Sequence, residues 1–321
     1  MTTTKKISLI INPFASSFSE RKVKLIERAL KTVAKVEVLR TEKRSHAIEL
    51  AKNASETSEM VCVLGGDGTL NEAAQGLLGT QTILIPLPGG STNVFARAIG
   101  YSNDVFDALS QVIDSIEAKK TKRIGVGSID DRIFLFNAGI GLDAEVIARV
   151  EKNSKIKKVA AHPFTLSTAI TTYVKDFDRK EQQMSVLLGD EAKNVRMYTS
   201  DATVFAEANL VVISNLSPWT YLGMREVVLA PTANLDDALT ITAVRALNPV
   251  KLMRIALSAL GKHKTVMHHK DIAHCDHVHN ATIATNNYAL SYQVDGDYLG
   301  TISKATIKYI SDALTIQMPV D

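Results

Sequence analysis

The sequence predicts an α/β N-terminal domain with a doubly wound parallel sheet, followed by a domain that is mostly an antiparallel β-sandwich. Strand-like and helix-like patterns alternate with short connections over the first part of the chain, as in a parallel sheet with crossover helices. Beyond residue 122 the pattern changes to hairpins. We expect domains at 1–122 and 123–304, with C-terminal strands in 305–321 that could return to the N-terminal domain.

The elements of the N-terminal domain follow from apolar spacing. Apolar runs predict strands at Lys6–Asn12, Val36–Thr41, Met60–Leu64 and Thr82–Leu87. Apolar residues at helical spacing predict helices near Ser19–Ala34, Ser45–Ala54, Thr69–Leu78, Thr92–Ile99 and Val105–Ile116. Asn103 and Asp104 are the predicted cap of the last of these helices.

The second part of the chain shows mainly strand patterns. Two strands flank an Asp130-Asp131 turn, at Arg123–Ile129 and Arg132–Ala138. Further strands are predicted at Met184–Leu188, Val195–Thr199, Asn209–Ser214, Val227–Ala230, Leu239–Arg245, Ala281–Thr285, Ser291–Val294, Ala305–Ile310 and Leu314–Met318. Helices are predicted at Asp143–Val150, Lys158–Phe177 and Pro249–Leu260.

Composition narrows the class of protein. The 321 residues are 45% apolar and 22% charged, and no apolar run approaches the ~20 residues of a membrane span. A net charge of +3 is low for a nucleic-acid binder but compatible with visits to an anionic membrane surface. Cys62 and Cys275 form no disulfide framework, and the N-terminus runs straight into a strand, so we expect a cytoplasmic protein.

The most informative segment lies between the third strand and its helix. Residues 65–72 read Gly-Gly-Asp-Gly-Thr-Leu-Asn-Glu. Glycines at such a junction let the backbone approach a phosphate closely, and the helix N-terminus adds positive partial charge. Asp67 does not itself favour an anion, so it suggests a magnesium-bound phosphate or a proton to be removed. The alternative is a glycine turn with no ligand.

A second glycine-rich turn follows the next strand. Residues 88–93 read Pro-Gly-Gly-Ser-Thr-Asn and open another helix. In a parallel sheet both turns lie at the carboxyl ends of neighbouring strands, where ligands usually bind. The hydroxyls of Ser91 and Thr92 could bind a phosphate oxygen or cap the helix.

Residues 65–72 and 88–97 resemble the diacylglycerol kinase catalytic-domain family of lipid kinases, which includes bacterial diacylglycerol kinases and sphingosine kinases. NAD kinases and phosphofructokinases share the Gly-Gly-Asp-Gly run, but the Asn71-Glu72 continuation and the Gly-Ser-Thr-Asn loop favour the lipid kinases. The resemblance implies an NAD kinase-like N-terminal domain, a C-terminal β-sandwich and a transferase of lipid metabolism that uses ATP and Mg²⁺.

The resemblance also implies an ATP site. Its residues are Asn12, Pro13, Thr41, Gly65, Gly66, Asp67, Gly68, Thr69, Asn71, Glu72, Gly90, Ser91, Thr92 and Asn93. Ser91 stands where the family has threonine, so a hydroxyl is kept. The segment after Pro13 lacks the glycine that is usual in the family.

In the second domain the resemblance implies a magnesium site and further acids. Residues 235–239 resemble the segment that binds magnesium in bacterial members, with the Asp237 carboxylate and the carbonyls of Asn234 and Leu239 as ligands. Hard oxygen ligands suit Mg²⁺. The alternative is a polar turn between strands. Asp143 ends a glycine-rich segment and is either a helix cap or part of a magnesium network.

Residues 293–300 resemble the Asp-Gly-Glu motif of the family, whose glutamate is the active-site residue. Asp297 replaces that glutamate and is one methylene shorter. The implied catalytic residues are therefore Asp297, Asp67, Asp295 and Asp143, with Asp297 favoured as the general base and Asp67 for orientation and magnesium-linked roles. Without the resemblance, Asp295-Gly296 predicts a hairpin turn.

Two further features allow two interpretations each. The histidine-rich segment 263–279 either binds zinc or forms a solvated strand, and no Cys-x-x-Cys accompanies it. The apolar stripe of the Lys158–Phe177 helix is core, or it contacts a bilayer.

The expected function is an ATP- and Mg²⁺-dependent lipid kinase that phosphorylates diacylglycerol at a membrane surface. The expected partners are a membrane lipid substrate and an anionic membrane surface, without nucleic acid; a homodimer is left open. The alternatives are a kinase for a sphingoid base or another lipid alcohol, a kinase of the NAD kinase type, and a non-catalytic nucleotide- or lipid-binding regulator.

Overall fold

The computed structural model describes residues 5–15, 18–152, 184–196, 204–245, 248–261, 265–285 and 288–320. The chain divides into two compact units. The N-terminal unit comprises Met1–Val126 together with Ser311–Asp321, and the second unit comprises Gly127–Ile310. The predicted Lys158–Phe177 helix and His263 lie outside the described residues.

The N-terminal unit is built on a parallel sheet. Its strands are β1 (Lys6–Ile11), β2 (Lys35–Arg40), β3 (Met60–Gly65) and β4 (Ile83–Pro88), in the order β2-β1-β3-β4. The last strand of the chain, β19 (Lys304–Gln317), adds its C-terminal half beside β4, also in parallel, with Thr315 opposite Ile83. All six residues of β3 are buried, as expected for a central strand covered on both faces.

Helices connect these strands. They are α1 (Glu20–Leu30), α2 (His46–Ser55), α3 (Asp67–Leu77), α4 (Val94–Ala98) and α5 (Val105–Glu117). The hydroxyl of Ser19 accepts from the amide of Lys22 and so caps α1. The carboxylate of Asp104 accepts from the amides of Phe106 and Asp107 and caps α5, as the sequence predicted.

The second unit contains antiparallel strands and two longer helices among its described residues. Strand β5 (Thr121–Ile129) begins in the N-terminal unit and ends in the second. The other strands are β6 (Arg132–Phe134), β7 (Asn137–Gly141), β8 (Met184–Leu188), β9 (Lys193–Arg196), β10 (Val204–Ala208), β11 (Leu210–Ser214), β12 (Thr220–Leu222), β13 (Arg225–Val227), β14 (Leu239–Val244), β15 (Ile272–Val278), β16 (Asn280–Thr285), β17 (Leu290–Val294), β18 (Asp297–Ile302) and the first part of β19. The helices are α6 (Leu142–Lys152) and α7 (Pro249–Ala259), and a short 3-10 helix covers Thr265–His268.

Two antiparallel sheets share the main core of this unit. One has the order β18-β17-β7-β11-β14-β15-β9, and in the other β10, β8, β16 and β19 are successive neighbours. Ile140 and Ile241 of the first sheet and Val186 and Ile283 of the second belong to one buried apolar cluster. Each such side chain contributes about 1.5–3 kcal/mol through burial. The predicted fold class is therefore confirmed.

The structure differs from the predicted elements in several places. Residues 304–317 form one strand, where two had been predicted. Helix α3 begins two residues earlier than predicted, at Asp67, and α4 is reduced to Val94–Ala98. Strand β10 and the β12-β13 hairpin were not predicted. No helix in the described parts of the chain combines the length and the apolar character that crossing a membrane requires.

Candidate functional site

The two glycine-rich loops lie side by side in the N-terminal unit, at the carboxyl ends of β3 and β4. The amide of Gly89 donates to the carbonyl of Gly65 at 2.9 Å. A Cβ atom on Gly89 would lie 2.7 Å from the nitrogen of Gly65, and one on Gly90 would lie 2.7 Å from the Cα of Gly66. Because backbone faces backbone at these distances, a side chain at either position would push the loops apart.

Asp67 links the first loop to the helix after the second loop. Its Oδ2 atom accepts from the amide of Val94 at 3.0 Å, and its Oδ1 atom accepts from the amide of Phe95 at 3.1 Å. These amides are the first of α4 and have no partner within the helix. Asp67 is therefore the cap of α4, a role that the sequence had offered to Ser91 or Thr92.

Asn93 fixes the second loop. Its backbone is left-handed, with φ of 51°. Its Oδ1 atom accepts from the amide of Gly90 at 2.8 Å, and its Nδ2 atom donates to the carbonyl of Gly90 and to the side chain of Asn103. Asparagine tolerates the left-handed region and bonds its own loop, which explains its position here. Ser91 is left exposed and Thr92 is half-buried.

Glu72 holds the N-terminus of α2, as Asp67 holds that of α4. This buried carboxylate accepts from the amide of Ser45 at 2.8 Å and from that of Ala47 at 3.3 Å. Ser45 itself has φ of 64° and does not cap α2 with its side chain. Helix α3 thus carries two acids, and each holds the N-terminus of a neighbouring helix.

Asn12 and Thr41, the predicted ATP-site residues that directly follow β1 and β2, also have contacts in the N-terminal unit. The Nδ2 atom of Asn12 donates to the hydroxyl of Thr69 at 2.9 Å, which ties the loop after β1 to α3. Thr41 is buried and its amide bonds the carbonyl of Ile11. A small cleft beside these loops is lined by Asn12, Ala15, Phe18, Ser19, Lys22, Leu64, Gly89 and Val105.

Chemically, this arrangement suits a phosphate-bearing ligand. The loops bring the N-terminus of α3, an 11-residue helix, to the carboxyl edge of the sheet. The first backbone amides of an α-helix carry positive partial charge. The glycines leave the backbone uncovered there, so an anion can reach the amides.

In the second unit, Asp295 holds a backbone turn. Its carboxylate accepts from the amides of Leu135, Phe136 and Asn137 at 2.7, 3.0 and 3.1 Å. The side chain is buried. Three backbone amides thus donate hydrogen bonds to this carboxylate, which gives Asp295 a structural role in the turn.

A buried network surrounds Asp143. Its Oδ2 atom accepts from Nε2 of Gln293 at 2.7 Å, and the same Nε2 atom lies 3.1 Å from Oδ1 of Asn137. The Oε1 atom of Gln293 accepts from the amide of Gly296 at 2.8 Å. A Cβ on Gly139 would come within 1.9 Å of Oδ2 of Asp143, so only glycine fits there. Burial raises the pKa of Asp143 to about 6, and the bond from Gln293 offsets part of that rise.

Asp297 is presented by a hairpin. It is the first residue of β18 and lies opposite Val294 of β17. The two turn residues, Asp295 and Gly296, have φ of 48° and 82°, as a two-residue turn with both φ positive requires. Asp297 is partly exposed. Within this unit the structure thus brings Asp143, Asp295 and Asp297 together through Gln293 and the turn.

The predicted magnesium ligands occupy a turn before β14. The amide of Asp237 donates to the carbonyl of Asn234 at 3.4 Å, and the side chain of Asn234 accepts from the amide of Asp236. The carboxylate of Asp237 pairs with Nδ1 of His277. Leu239 is the buried first residue of β14. The donors are carboxylate and carbonyl oxygens, which suit Mg²⁺ if His277 leaves Asp237.

The described part of the histidine-rich segment comprises the 3-10 helix Thr265–His268, strand β15 and the residues that flank them. His274 is buried and lies 2.9 Å from the carboxylate of Asp276, which also accepts from the hydroxyls of Thr232 and Thr240. His277 and His279 pack edge to face. Among the described residues, no group of three or more His, Cys, Asp and Glu side chains is arranged to hold a metal ion.

Sequence reasoning missed several residues of these sites. Gln293 and Asn137 were not singled out, although both are buried polar residues on β-strands. A polar residue at an inward position of a strand is the signal that could have indicated them. The capping contacts of Asp67 and Glu72 join segments far apart in the chain, and no local pattern reports such contacts.

The sequence is similar to those of known lipid kinases. Residues 6–129 match the model of the diacylglycerol kinase catalytic domain. A protein of Streptococcus pneumoniae named putative lipid kinase is 29% identical over 216 residues, which cover 65% of this chain and 66% of that protein. A diacylglycerol kinase of Staphylococcus aureus is 28% identical over 309 residues, which cover 93% of this chain and 88% of that protein.

A solved structure shows the same fold. The crystal structure of a putative diacylglycerol kinase from Bacillus anthracis superposes with a TM-score of 0.72, at 21% identity, over 99% of this chain and 98% of that one. The chain is thus similar to a diacylglycerol kinase over 93% of its length. The match of residues 6–129 to the diacylglycerol kinase catalytic domain confirms the resemblance that the motifs predicted.

Proposed function

We propose that this lipid kinase transfers the γ-phosphate of ATP to the hydroxyl of diacylglycerol and that it requires Mg²⁺. Diacylglycerol is favoured because the Staphylococcus aureus relative that carries this name matches 93% of the chain. The N-terminal unit would bind the nucleotide, and the second unit would bind the lipid. The proposed domain boundaries are those expected from the sequence, between residues 122 and 123 and between residues 304 and 305.

The observation that supports ATP binding is the close approach of the two glycine loops. Gly66 and Gly90 carry no side chain, and a Cβ on Gly90 would lie 2.7 Å from the Cα of Gly66, so the backbone of the first loop stays uncovered at the carboxyl edge of the sheet. Phosphates bind such amides at helix N-termini. The proposed ATP site also includes Asn12, Thr41, Ser91 and the other residues predicted for it, and the contact of Asn12 with Thr69 of α3 supports this. Asp67 keeps α4 in place, so its role in this proposal is to orient the loops.

Magnesium would be held by the carboxylate of Asp237 and the carbonyls of Asn234 and Leu239. When bound, it would neutralise charge on oxygen ligands at the active site. The competing contact in the structure is the pair between Asp237 and His277. Metal binding would therefore displace His277 from this carboxylate.

The proposed base is Asp297, which would take the proton of the attacking lipid hydroxyl. It is partly exposed at the start of a strand, whereas Asp295 is committed to three backbone amides. Asp143 is buried beside Gln293 and would act through the hairpin that presents Asp297. Since the substrate is a membrane lipid, transient contact with an anionic membrane surface is part of the proposal.

The test is transfer of labelled γ-phosphate from ATP to diacylglycerol, a sphingoid base and NAD, with and without Mg²⁺ and mixed-lipid vesicles. We expect magnesium-dependent labelling of diacylglycerol. Labelling of the sphingoid base instead would correct the substrate. Labelling of NAD alone, or of nothing, would contradict the proposed function.

A further inference from the structure

Helix α7 has apolar residues on its exposed face. Val250, Met253 and Leu257 are 61, 45 and 61% exposed. They are three and four residues apart, so they lie on one side of the helix over two turns. A helix that only covers a core would place polar residues at these positions.

The opposite face of α7 is packed in the usual way. Ile255 and Ala259 are 4 and 1% exposed and belong to a buried cluster with Val227 and Leu229. The carbonyl of Ala259 also accepts from the amide of Val228 at 2.8 Å. The buried face therefore anchors the helix, and the exposed apolar residues are not members of that cluster.

The chain around α7 is cationic. Residues 248–270 contain no Asp or Glu and contain five basic residues. These are Lys251, Arg254, Lys262, Lys264 and Lys270. Arg254 is exposed beside the apolar side chains, and Lys251 pairs with Asp271 at 3.0 Å. The whole chain has a net charge of only +3, so this segment concentrates positive charge.

We propose that α7 is the helix that docks this kinase on an anionic lipid surface, with Val250, Met253 and Leu257 inserted among the acyl chains. Apolar side chains on a helix with adjacent basic residues are what an interfacial helix needs. Anionic lipid headgroups would supply negative charge opposite Arg254, because residues 248–270 contain no Asp or Glu. The proposal deepens the proposed function, because it names the surface that reaches the membrane-held substrate.

Binding to vesicles is measured with the intact chain by co-sedimentation. The probes are vesicles of phosphatidylcholine alone and of phosphatidylcholine with phosphatidylglycerol. The double variant Met253→Gln with Leu257→Gln should bind the anionic vesicles at least about tenfold more weakly, since two apolar side chains no longer leave water. Leu25→Gln is the matched control, because Leu25 is 43% exposed on α1 of the other unit. It should bind as the unaltered chain does.

Charge is tested separately. Arg254→Gln should weaken binding to the anionic vesicles by about fivefold and leave binding to phosphatidylcholine unchanged. Equal binding by the α7 variants and the unaltered chain would overturn the proposal. So would a dimer, detected by light scattering, that dissociates in the double variant, because α7 would then contact a second copy of the chain.

Kinase assays separate this inference from the proposed function. A short-chain diacylglycerol dispersed in water needs no docking, so the double variant should phosphorylate it at the normal rate and lose turnover only on vesicles. If no form of the chain phosphorylates either substrate, the proposed function fails, while vesicle binding still decides the role of α7. Equal loss on both substrates would contradict docking by α7.

Discussion

The Oδ2 atom of Asp67 accepts a hydrogen bond from the amide of Val94 at 3.0 Å, which joins the loop after β3 to the helix after β4. The second oxygen bonds the amide of Phe95. One carboxylate therefore sets the relative position of the two glycine loops. Together with the hydrogen bond from the amide of Gly89 to the carbonyl of Gly65, Asp67 holds the two loops in one geometry.

Replacement of Asp67 by alanine should abolish phosphoryl transfer while the far-ultraviolet circular dichroism spectrum stays unchanged. The reason is that α4 loses its cap, at a cost of about 1 kcal/mol, and the second loop loses its position. Asp67→Asn keeps one acceptor oxygen and should retain more stability in thermal unfolding. Near-normal activity of Asp67→Ala would show that Asp67 has no part in the reaction.

The two central glycines should respond differently to alanine. A Cβ on Gly66 meets its nearest atom at an ordinary 3.5 Å, whereas a Cβ on Gly90 would lie 2.7 Å from the Cα of Gly66. We expect Gly90→Ala to lower the melting temperature and Gly66→Ala to leave it nearly unchanged. Both variants should bind ATP more weakly in calorimetry.

Gly66→Ala is thus the variant that separates binding from folding. If it unfolds at the normal temperature and binds ATP at the normal affinity, the loop amides are not the phosphate site.

Asp297→Asn should lower kcat at least about a hundredfold with little change in KM for the lipid, because a general base contributes about 10²–10⁴ to the rate. Asp297→Glu introduces the residue usual in the family and should keep activity. Asp131→Asn alters another acid, exposed in the β5-β6 turn, and serves as the control. A normal kcat for Asp297→Asn would remove Asp297 from the catalytic residues.

Asp143 should make stability depend on pH. Burial raises its pKa from 3.8 to about 6, so the folded chain keeps a proton that the unfolded chain has lost. The stability that the neutral carboxyl retains is fully present below about pH 4 and is lost as the pH rises through 6. Asp143→Asn removes this penalty and should stabilise the chain at pH 7.5 by at most about 3 kcal/mol.

The measurement is urea unfolding of both forms at pH 4 and pH 7.5. Little stabilisation should appear at pH 4, where the folded Asp143 is protonated and the unfolded carboxyl, with a pKa of 3.8, is only partly ionised. A stability difference of the same size at the two pH values would mean that titration of Asp143 is not its cause.

Most of the N-terminal unit could be predicted from the sequence. Its strands are continuous apolar runs and its helices have regular apolar spacing, so pattern and structure agree within a few residues. The second unit was harder. Strand β19 was divided at Ser311 and Asp312, where polar residues interrupt the pattern, yet the backbone continues through them with φ of 49° at Asp312.

The functional residues were predictable only where a motif marks them. The glycine loops and Asp297 lie in short, recognisable segments. Gln293 does not, because its contacts to Asp143 and Asn137 span about 150 residues of sequence. The exposed face of α7 was also missed, since a helix with apolar residues on both faces reads as an ordinary core helix until burial separates the two.

The position of the C-terminal half of β19 affects the order in which the two units fold during synthesis. Leu314 and Ile316 are buried in the N-terminal unit, and Gln317 bonds the carbonyls of Ser115 and Lys120. These residues follow the whole of the second unit in the chain. The first unit therefore emerges from the ribosome without its final strand, and its sheet is completed only after the second unit has been synthesised.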